Sequence, residues 1–430
     1  MKKELNEEFV IELSQKKHEP SWMLEFRLKS FAKFKELDNP KFGPKLEFDF
    51  NNINYYKSNE EKLTNKWEDV NCSIRNRFDE LGVIDAENKY LGGVTNQFES
   101  EVVYHNQKID DGIIFTSTDD ALQKYPDLFK QYFNHLVNYT ENKFTALNGA
   151  VWSGGSFIYI PKGVKVDRPL QSYFRIETES LGQFERTIII VDEGADLSYI
   201  EGCTAKNFSV SSLHAGVVEI FIKKNAHCRY STIQNWSTDV YNLVTKRAIV
   251  DAYGTMEWVD GNLGSKVTMK YPSCILKGEG ATGNSISIAY AKENQHLDAG
   301  AKMIHLAPNT KSNIISKSIA EKGGISNYRG LTKITKAATN SQATVKCDTI
   351  ILDELSKSDT FPTNIVGNNS STLEHEATIS KISAEKLFYL TSKGLDENSA
   401  KELLIMGFIS DFKKELPMEY AVELNRLIKE

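Results

Sequence analysis

The sequence predicts a mainly β chain, a solenoid-like core with helical regions at both ends. Three observations carry that prediction. From Val151 to about Leu352, short β-type runs follow one another, broken by Gly, Asn, Asp and Lys, without a strong helical pattern. Several runs restart directly after a small polar turn, and the turn residues Gly194, Asn225 and Gly254 lie 31 and 29 positions apart. The two ends instead repeat apolar residues at helical spacing.

Residues 1–39 read as helix, with Leu24, Leu28, Phe31, Phe34 and Leu37 on one face. Pro20-Ser21 supplies a start, and Pro40 with Gly43-Pro44 a stop. Residues 42–65 are polar and rich in Asn and Lys, which predicts irregular chain. Trp67–Leu81 reads as helix again. Asp119–Val137 is amphipathic, capped by Ser117 to Asp120 and divided or kinked at Pro126.

The β stretch runs through SFIYIP, TIIIVD, LSYIEG, GVVEIFIKK, YSTIQNW, NLVTKRAIVD and MEWVDG to TVKCDTIILD. A sandwich, barrel, propeller or solenoid could hold such runs. The loose turn repeat favours a β-helix or solenoid, in which each coil buries its face on the next. Residues 384–430 carry apolar stripes, among them Leu387, Leu390, Leu403, Leu404, Phe408, Phe412, Tyr420, Leu424 and Leu427, punctuated by Gly394, Gly407 and Pro417. Such a segment suits either a cap over an open solenoid end or a platform for a partner.

Composition narrows the function. With 430 residues, 40% hydrophobic and 10% aromatic, the chain exceeds one ordinary core and is not a disordered chain. Its 52 basic and 58 acidic residues give a net charge of −6, which argues against a dedicated nucleic-acid binder. No apolar leader follows MKKELNEEFV, and no apolar run approaches membrane-span length, so the expectation is a cytoplasmic protein without membrane or nucleic-acid partners. The cysteines at 72, 203, 228, 274 and 347 are odd in number and lack C-x-x-C spacing, which points to free thiols.

Gly278-Glu-Gly280-Ala-Thr-Gly283 matches G-x-G-x-x-G, but a strand-like run follows it, so it reads as a turn. Glu374-His375-Glu376 is the densest ligand-like cluster. On a strand the two carboxylates share one face and the imidazole takes the other. Carboxylates with imidazole suit iron, and a thiolate would shift the set toward iron–sulfur chemistry; the alternative is a solvated surface strand. Cys347 alternates with Lys346 and Asp348 and shares a face with Val345, as a core thiol would. Cys203 follows a glycine at an expected strand end, where a thiol is accessible. Cys274 reads as buried, and Cys72 and Cys228 as structural.

Several long motifs together resemble the SUF iron–sulfur cluster assembly scaffold, B subunit, of the SufB/SufD family. They include SWMLEFRLK, NKFTALNGAVWSGGSFIYIPKGVKV, GQFERTIIIVDEGA, EGCTA, YSTIQNW, KYPSCIL, AGAKMIHLAPNTKSNIISKSI, KCDTIILDE and LEHEATISKI. The likeness runs from Trp22 nearly to the C-terminus, and KCD with LEHEA favours a B subunit over a D subunit.

The resemblance implies a right-handed parallel β-helix at 106–375, between an N-terminal helical region at 1–105 and a C-terminal helical region at 376–430. It implies a scaffold rather than an enzyme, one that accepts persulfide sulfur and builds a transient iron–sulfur cluster for apo-proteins. The implied partners are a cysteine desulfurase with its sulfur carrier, an ABC-type ATPase subunit docking on the C-terminal region, and a D subunit or second copy of this chain. The resemblance also leaves room for a reduced flavin. By the same likeness Cys203 takes the sulfur-accepting position and Cys347 the cluster-building position. Glu374, His375 and Glu376 then help hold iron, and Arg175, Gln234, Trp236 and Lys246 line a sulfur path.

The chain departs from the pattern at three places. Glu177 follows Arg175-Ile176 where Asn is expected, so it points outward or alters the path. The segment after Trp236 is short, and an N-terminal cysteine cluster is missing. Two other readings stand beside the scaffold: a D-type structural subunit, and a β-helix carbohydrate-active enzyme working through carboxylates and arginines.

Overall fold

The computed structural model describes residues 4–59, 61–109, 111–206 and 211–415. Its strands coil into a β-solenoid of about eight turns. One wall is a ten-stranded sheet. It starts with Glu101–Gln107 and Gly93–Phe98 and proceeds through Leu170–Ile176, Asp196–Ala205, His227–Trp236 and Thr255–Gly264. It continues through Thr282–Ala291, Lys311–Ala320 and Gln342–Ile351 to Thr372–Lys381. The facing wall is a twelve-stranded sheet that contains Val217–Ile222, Val240–Val250, Ser273–Leu276 and Lys302–His305. Strand neighbours within the coils are parallel; antiparallel pairs occur only at the N-terminal end among the described strands.

A column of left-handed turn residues stacks the coils. Gly194, Asn225, Tyr253 and Gly280 all have positive φ, and the N–H of each donates to a carbonyl of the next coil. The repeat expected at Gly254 is therefore carried by Tyr253, one residue earlier. Gly280, at φ 66°, makes the G-x-G-x-x-G segment a turn into strand Thr282–Ala291, as expected.

Between the walls, side chains of like kind stack in register. Ile158, Ile189, Ile220, Ala248, Cys274 and Met303 form one apolar ladder. Each such branched side chain, fully buried, contributes about 1.5–3 kcal/mol of transfer free energy. Cys274 and Cys228 belong to this packing, with burial pushing the Cys274 thiol up to about 12. Cys72 does not pack: it is exposed at the start of helix Cys72–Glu80.

The helical ends differ in detail from the sequence reading. The first 39 residues form Glu7–Lys16 and Ser21–Glu36. In the second helix Phe31 and Phe34 are buried as expected, but Met23, Arg27 and Ser30 complete the buried stripe in place of Leu24 and Leu28. Arg27 causes the shift. Its buried guanidinium pairs with Glu19 at 2.6 Å and donates to the Ala150 and Trp152 carbonyls at 3.1 and 2.9 Å. The 119–137 stretch divides at Pro126 into Thr118–Lys124 and Pro126–Tyr132, with Ser117 as the N-cap. The boundaries drawn at 105/106 and 375/376 fall inside strands Glu101–Gln107 and Thr372–Lys381.

Helix Glu397–Phe408 lies against the outer face of the ten-stranded sheet rather than over its end. Ile405, Ile409 and Phe412 join Ile233, Val259 and Ile288 in one apolar cluster, and Lys317 donates to the Phe408 carbonyl at 2.6 Å. The expected apolar positions Tyr420, Leu424 and Leu427, with Pro417, lie outside the described residues. Among the described residues nothing covers the last coil. Thr360–Val366 and the second half of Thr372–Lys381 are exposed on both faces, including Phe361, Ile365, Val366 and Ile379. No described helix is long and apolar enough to cross a membrane.

Candidate functional site

The site is built by strand alternation. In Asp196–Ala205, Tyr199, Glu201 and Cys203 point into the lumen, while Ile200, Gly202 and Thr204 point out. Gly202 does not end the strand, which runs on to Ala205. Cys203 is accordingly fully buried, beside Phe174, Ile176 and Trp236, rather than accessible at a strand end. Burial pushes its thiol far up, and the Glu201 and Glu185 carboxylates add to that; Lys246 and Lys270 pull the other way.

Those lysines belong to a charged network inside the solenoid. Lys246 pairs with Glu201 at 3.0 Å and lies 4.5 Å from the Tyr230 ring centre, while the Tyr230 hydroxyl donates to the other Glu201 oxygen. Burial works against the Lys246 ammonium, but Glu201 and Asp260 together hold its pKa above the usual lysine value. Lys270 pairs with Asp260 at 2.9 Å and donates to Gln234 at 3.2 Å. For Lys270 burial prevails, so its pKa is lowered. His214 bridges Glu185 at 2.6 Å and Asn242 at 2.7 Å, and Asn242 donates to Gln234 at 2.8 Å.

Not every polar atom here is satisfied. Gln234 Nε2, Trp236 Nε1, Asp260 Oδ2 and Asn262 Oδ1 have no hydrogen-bond partner among the described residues. Two donors beside a buried thiol and two lysines form a setting suited to an anionic sulfur species.

Register links this end of the lumen to Cys347. Ser172, Glu201, Thr232, Asp260, Ser287, Ser316 and Cys347 stand on successive rungs of the ten-stranded sheet. Thr232 donates to Asp260, and Ser287 to Ser316 at 3.2 Å. From Glu201 to Cys347 is five rungs, about 24 Å at about 4.8 Å each. The ladder of hydroxyl and carboxylate groups therefore runs along the lumen from the neighbourhood of Cys203 to Cys347.

Cys347 is buried, and burial pushes its thiol up to about 12 against the opposing pull of the nearby Tyr328 hydroxyl. His375 Nε2 lies 3.8 Å from its Sγ, and the Asn364 side-chain amide lies 3.0 Å from His375 Nδ1. His375 thus turns Nε2 toward the sulfur and Nδ1 toward the Asn364 amide. Burial lowers the His375 pKa, which favours the neutral ring that a metal binds. Glu374 and Glu376 take the opposite, exposed face of the strand, with Glu376 3.5 Å from Lys346. The structure thus brings Cys347 and His375 together and leaves both glutamates apart from them. Among the described residues no cluster of three or more His, Cys, Asp or Glu could hold a metal ion.

Of the four expected path residues, Gln234, Trp236 and Lys246 face the lumen. Arg175 does not. Its guanidinium bonds to Glu177 at 2.8 Å and Thr204 at 3.1 Å on the outer face, where Arg77 also reaches Glu177 at 3.2 Å. Glu177 points outward, and the Arg175 position follows it. Sequence reading missed Glu201, Tyr230, Asp260, Lys270 and His214. The available signal was a charged or polar residue in phase with buried apolar ones, such as Glu201 two places from Cys203 and Asp260 two places from Trp258.

Comparison with known proteins matches two family descriptions. "SufBD protein N-terminal region" covers residues 11–172, and "SUF system FeS cluster assembly, SufBD core domain" covers 174–408. The chain is 57% identical to an iron-sulfur cluster assembly SufBD family protein of Staphylococcus saprophyticus over 99% of its own length and 92% of the relative's. It is 56% identical to the iron-sulfur cluster assembly protein SufB of Bacillus subtilis over the same shares. A SufBD family protein of Staphylococcus aureus strain MRSA252 is 57% identical, again over 99% and 92%.

Proposed function

Because the chain belongs to the SufBD family of iron–sulfur cluster assembly proteins, we propose that it is the B-type scaffold, taking sulfur at Cys203 and assembling a cluster at Cys347. The observation that carries this reading is the polar ladder that leads through the lumen from the charged network beside Cys203 to Cys347. Stability alone does not ask for buried ion pairs at this depth, since well-packed apolar residues would do as well or better.

In this reading the Cys203 thiolate attacks the outer sulfur of a donor persulfide. The donor's S–S bond breaks, its thiolate leaves, and Cys203 carries the new persulfide. Lys246, Lys270 and the Trp236 and Gln234 donors offset the charge of that anion in a site without solvent. Reduction of that persulfide breaks its S–S bond, restores the Cys203 thiolate and frees hydrosulfide, which passes along the hydroxyl ladder to Cys347. That reduction takes two electrons, and a reduced flavin is the class of reductant this reading takes. Iron joins at Cys347, with His375 as the second ligand from this chain. Arg175, Glu374 and Glu376 act from the outer face, where the glutamates are placed to deliver iron or meet a partner.

His375 stands on the last strand of the ten-stranded sheet and Cys347 one rung in, at an edge that no described strand covers. A D subunit or a second copy completes the ligand set there. The exposed apolar residues Phe388, Tyr389 and Leu403 of the C-terminal helices receive the ATPase subunit. A desulfurase with its carrier supplies sulfur, apo-proteins take the cluster, and the work takes place in the cytoplasm without turnover of a substrate by this chain.

Anaerobic reconstitution with iron and a persulfide donor tests the proposal. Wild type gains visible absorption from a cluster, and Cys347→Ala does not. Cys203→Ser blocks assembly from the persulfide donor but not from free sulfide. Equal assembly by Cys347→Ala and wild type overturns the site assignment.

A further inference from the structure

Away from the lumen, the second sheet carries a site that the sulfur chemistry does not use. Arg247, Ser273 and Lys302 stand in register on three successive strands. Their neighbours Ala248, Cys274 and Met303 fill the lumen, so these three side chains face outward. The N-terminal arm passes over them, and Leu37, Phe42, Phe144 and Met269 close a cleft of about 300 Å³. That volume lies at the lower end of the range for small-molecule sites.

Among the described residues two charged groups lining the cleft have no ion pair, Asp38 on its exposed rim and Lys302 within it. Arg247 holds Glu141 through both carboxylate oxygens, at 2.6 and 2.8 Å. Asp298 accepts from Tyr271 at 2.7 Å and from Arg329 at 2.9 and 3.0 Å. Lys302 makes only a ring contact, its ammonium 5.3 Å from the Tyr271 ring centre, and no carboxylate among the described residues lies within ion-pair distance. Burial first, and then Arg247, push its pKa down, and Glu141, itself held by Arg247, offsets only part of that. A half-buried ammonium over an apolar floor, with the small Ser273 beside it and a second cation beyond, is complementary to one kind of guest.

We propose that this cleft binds a small aromatic carboxylate, its ring against Phe42 and Met269 and its acid group on Lys302. The ring spans the apolar walls, and the carboxylate supplies the counter-charge that Lys302 lacks.

Isothermal titration of the full chain with 1-naphthoate tests it, with uncharged 1-naphthalenemethanol as control. One molecule of naphthoate binds per chain, and Lys302→Met weakens it about tenfold or more, the loss of one charge-assisted contact. The alcohol binds wild type and the variant equally. Lys302→Gln repeats the result if the methionine variant folds poorly, as judged by its thermal midpoint. Phe42→Asp, on the exposed rim, weakens both ligands. Equal naphthoate affinity in wild type and both Lys302 variants overturns the proposal. So does an absence of binding at millimolar naphthoate, or binding lost in Phe388→Ser instead, which would locate the ligand on the C-terminal helices.

Discussion

Replacing Lys246 by Met removes one charge from the lumen while keeping the side chain's bulk. Lys246 and Glu201 are 0% and 1% exposed, and their 3.0 Å contact is the only ion pair that Glu201 makes among the described residues. Without the ammonium, Glu201 keeps the Tyr230 hydroxyl and is otherwise an uncompensated buried carboxylate. Breaking one side of such a pair costs about 3–5 kcal/mol. The urea midpoint of Lys246→Met should fall accordingly. Adding Glu201→Gln removes the stranded charge, keeps an acceptor for Tyr230, and should recover at least half the loss. The two substitutions also move the Cys203 thiol in opposite directions, because Lys246 lowers its pKa and Glu201 raises it. Reaction of Cys203 with methyl methanethiosulfonate should therefore slow in Lys246→Met and quicken in Glu201→Gln. A stability cost below about 1 kcal/mol, or equal rate changes in both variants, would refute the argument that a buried ion pair sets this thiol.

Other expectations follow from burial. In the native chain a thiol reagent at neutral pH should titrate Cys72 rapidly and the other four cysteines far more slowly than after denaturation, since Cys72 alone is exposed. The Cys347 thiol is held near 12 against about 8.5 in an unfolded chain, so its stabilisation is intact below that lower value and is lost as pH climbs toward the upper one. A Cys347→Ala variant should accordingly lose less stability than wild type between pH 8 and 10. Arg27→Met strands Glu19 and two carbonyls and should cost about 3–5 kcal/mol, read as a lower thermal midpoint. Ile379→Lys, on the open last strand, should weaken association at that edge in sedimentation without changing the monomer's circular dichroism.

The family and the solenoid were legible because both are written in local pattern. The turn repeat at Gly194 and Asn225, and motifs such as EGCTA and KCD, survive in one dimension. So did alternation: Cys347 beside Val345, and His375 opposite Glu374 and Glu376, were correctly placed on their faces by period two alone. Residue alternation says which residues share a face, but not which face is the lumen, nor which rungs meet across it. Cys203 looked accessible because Gly202 read as a strand end, whereas the strand continues and Trp236 covers the thiol. Arg175 looked like a lumen residue by likeness, yet its phase places it with Glu177 outside. The Lys246–Glu201 and Lys270–Asp260 pairs join residues 45 and 10 positions apart, and only the coiling of one wall onto the other brings them within 3 Å. Sequence determined the coil, its turns and the identity of the thiols. Tertiary structure decided their environment, because burial and charge pairing are properties of stacked rungs rather than of any single strand.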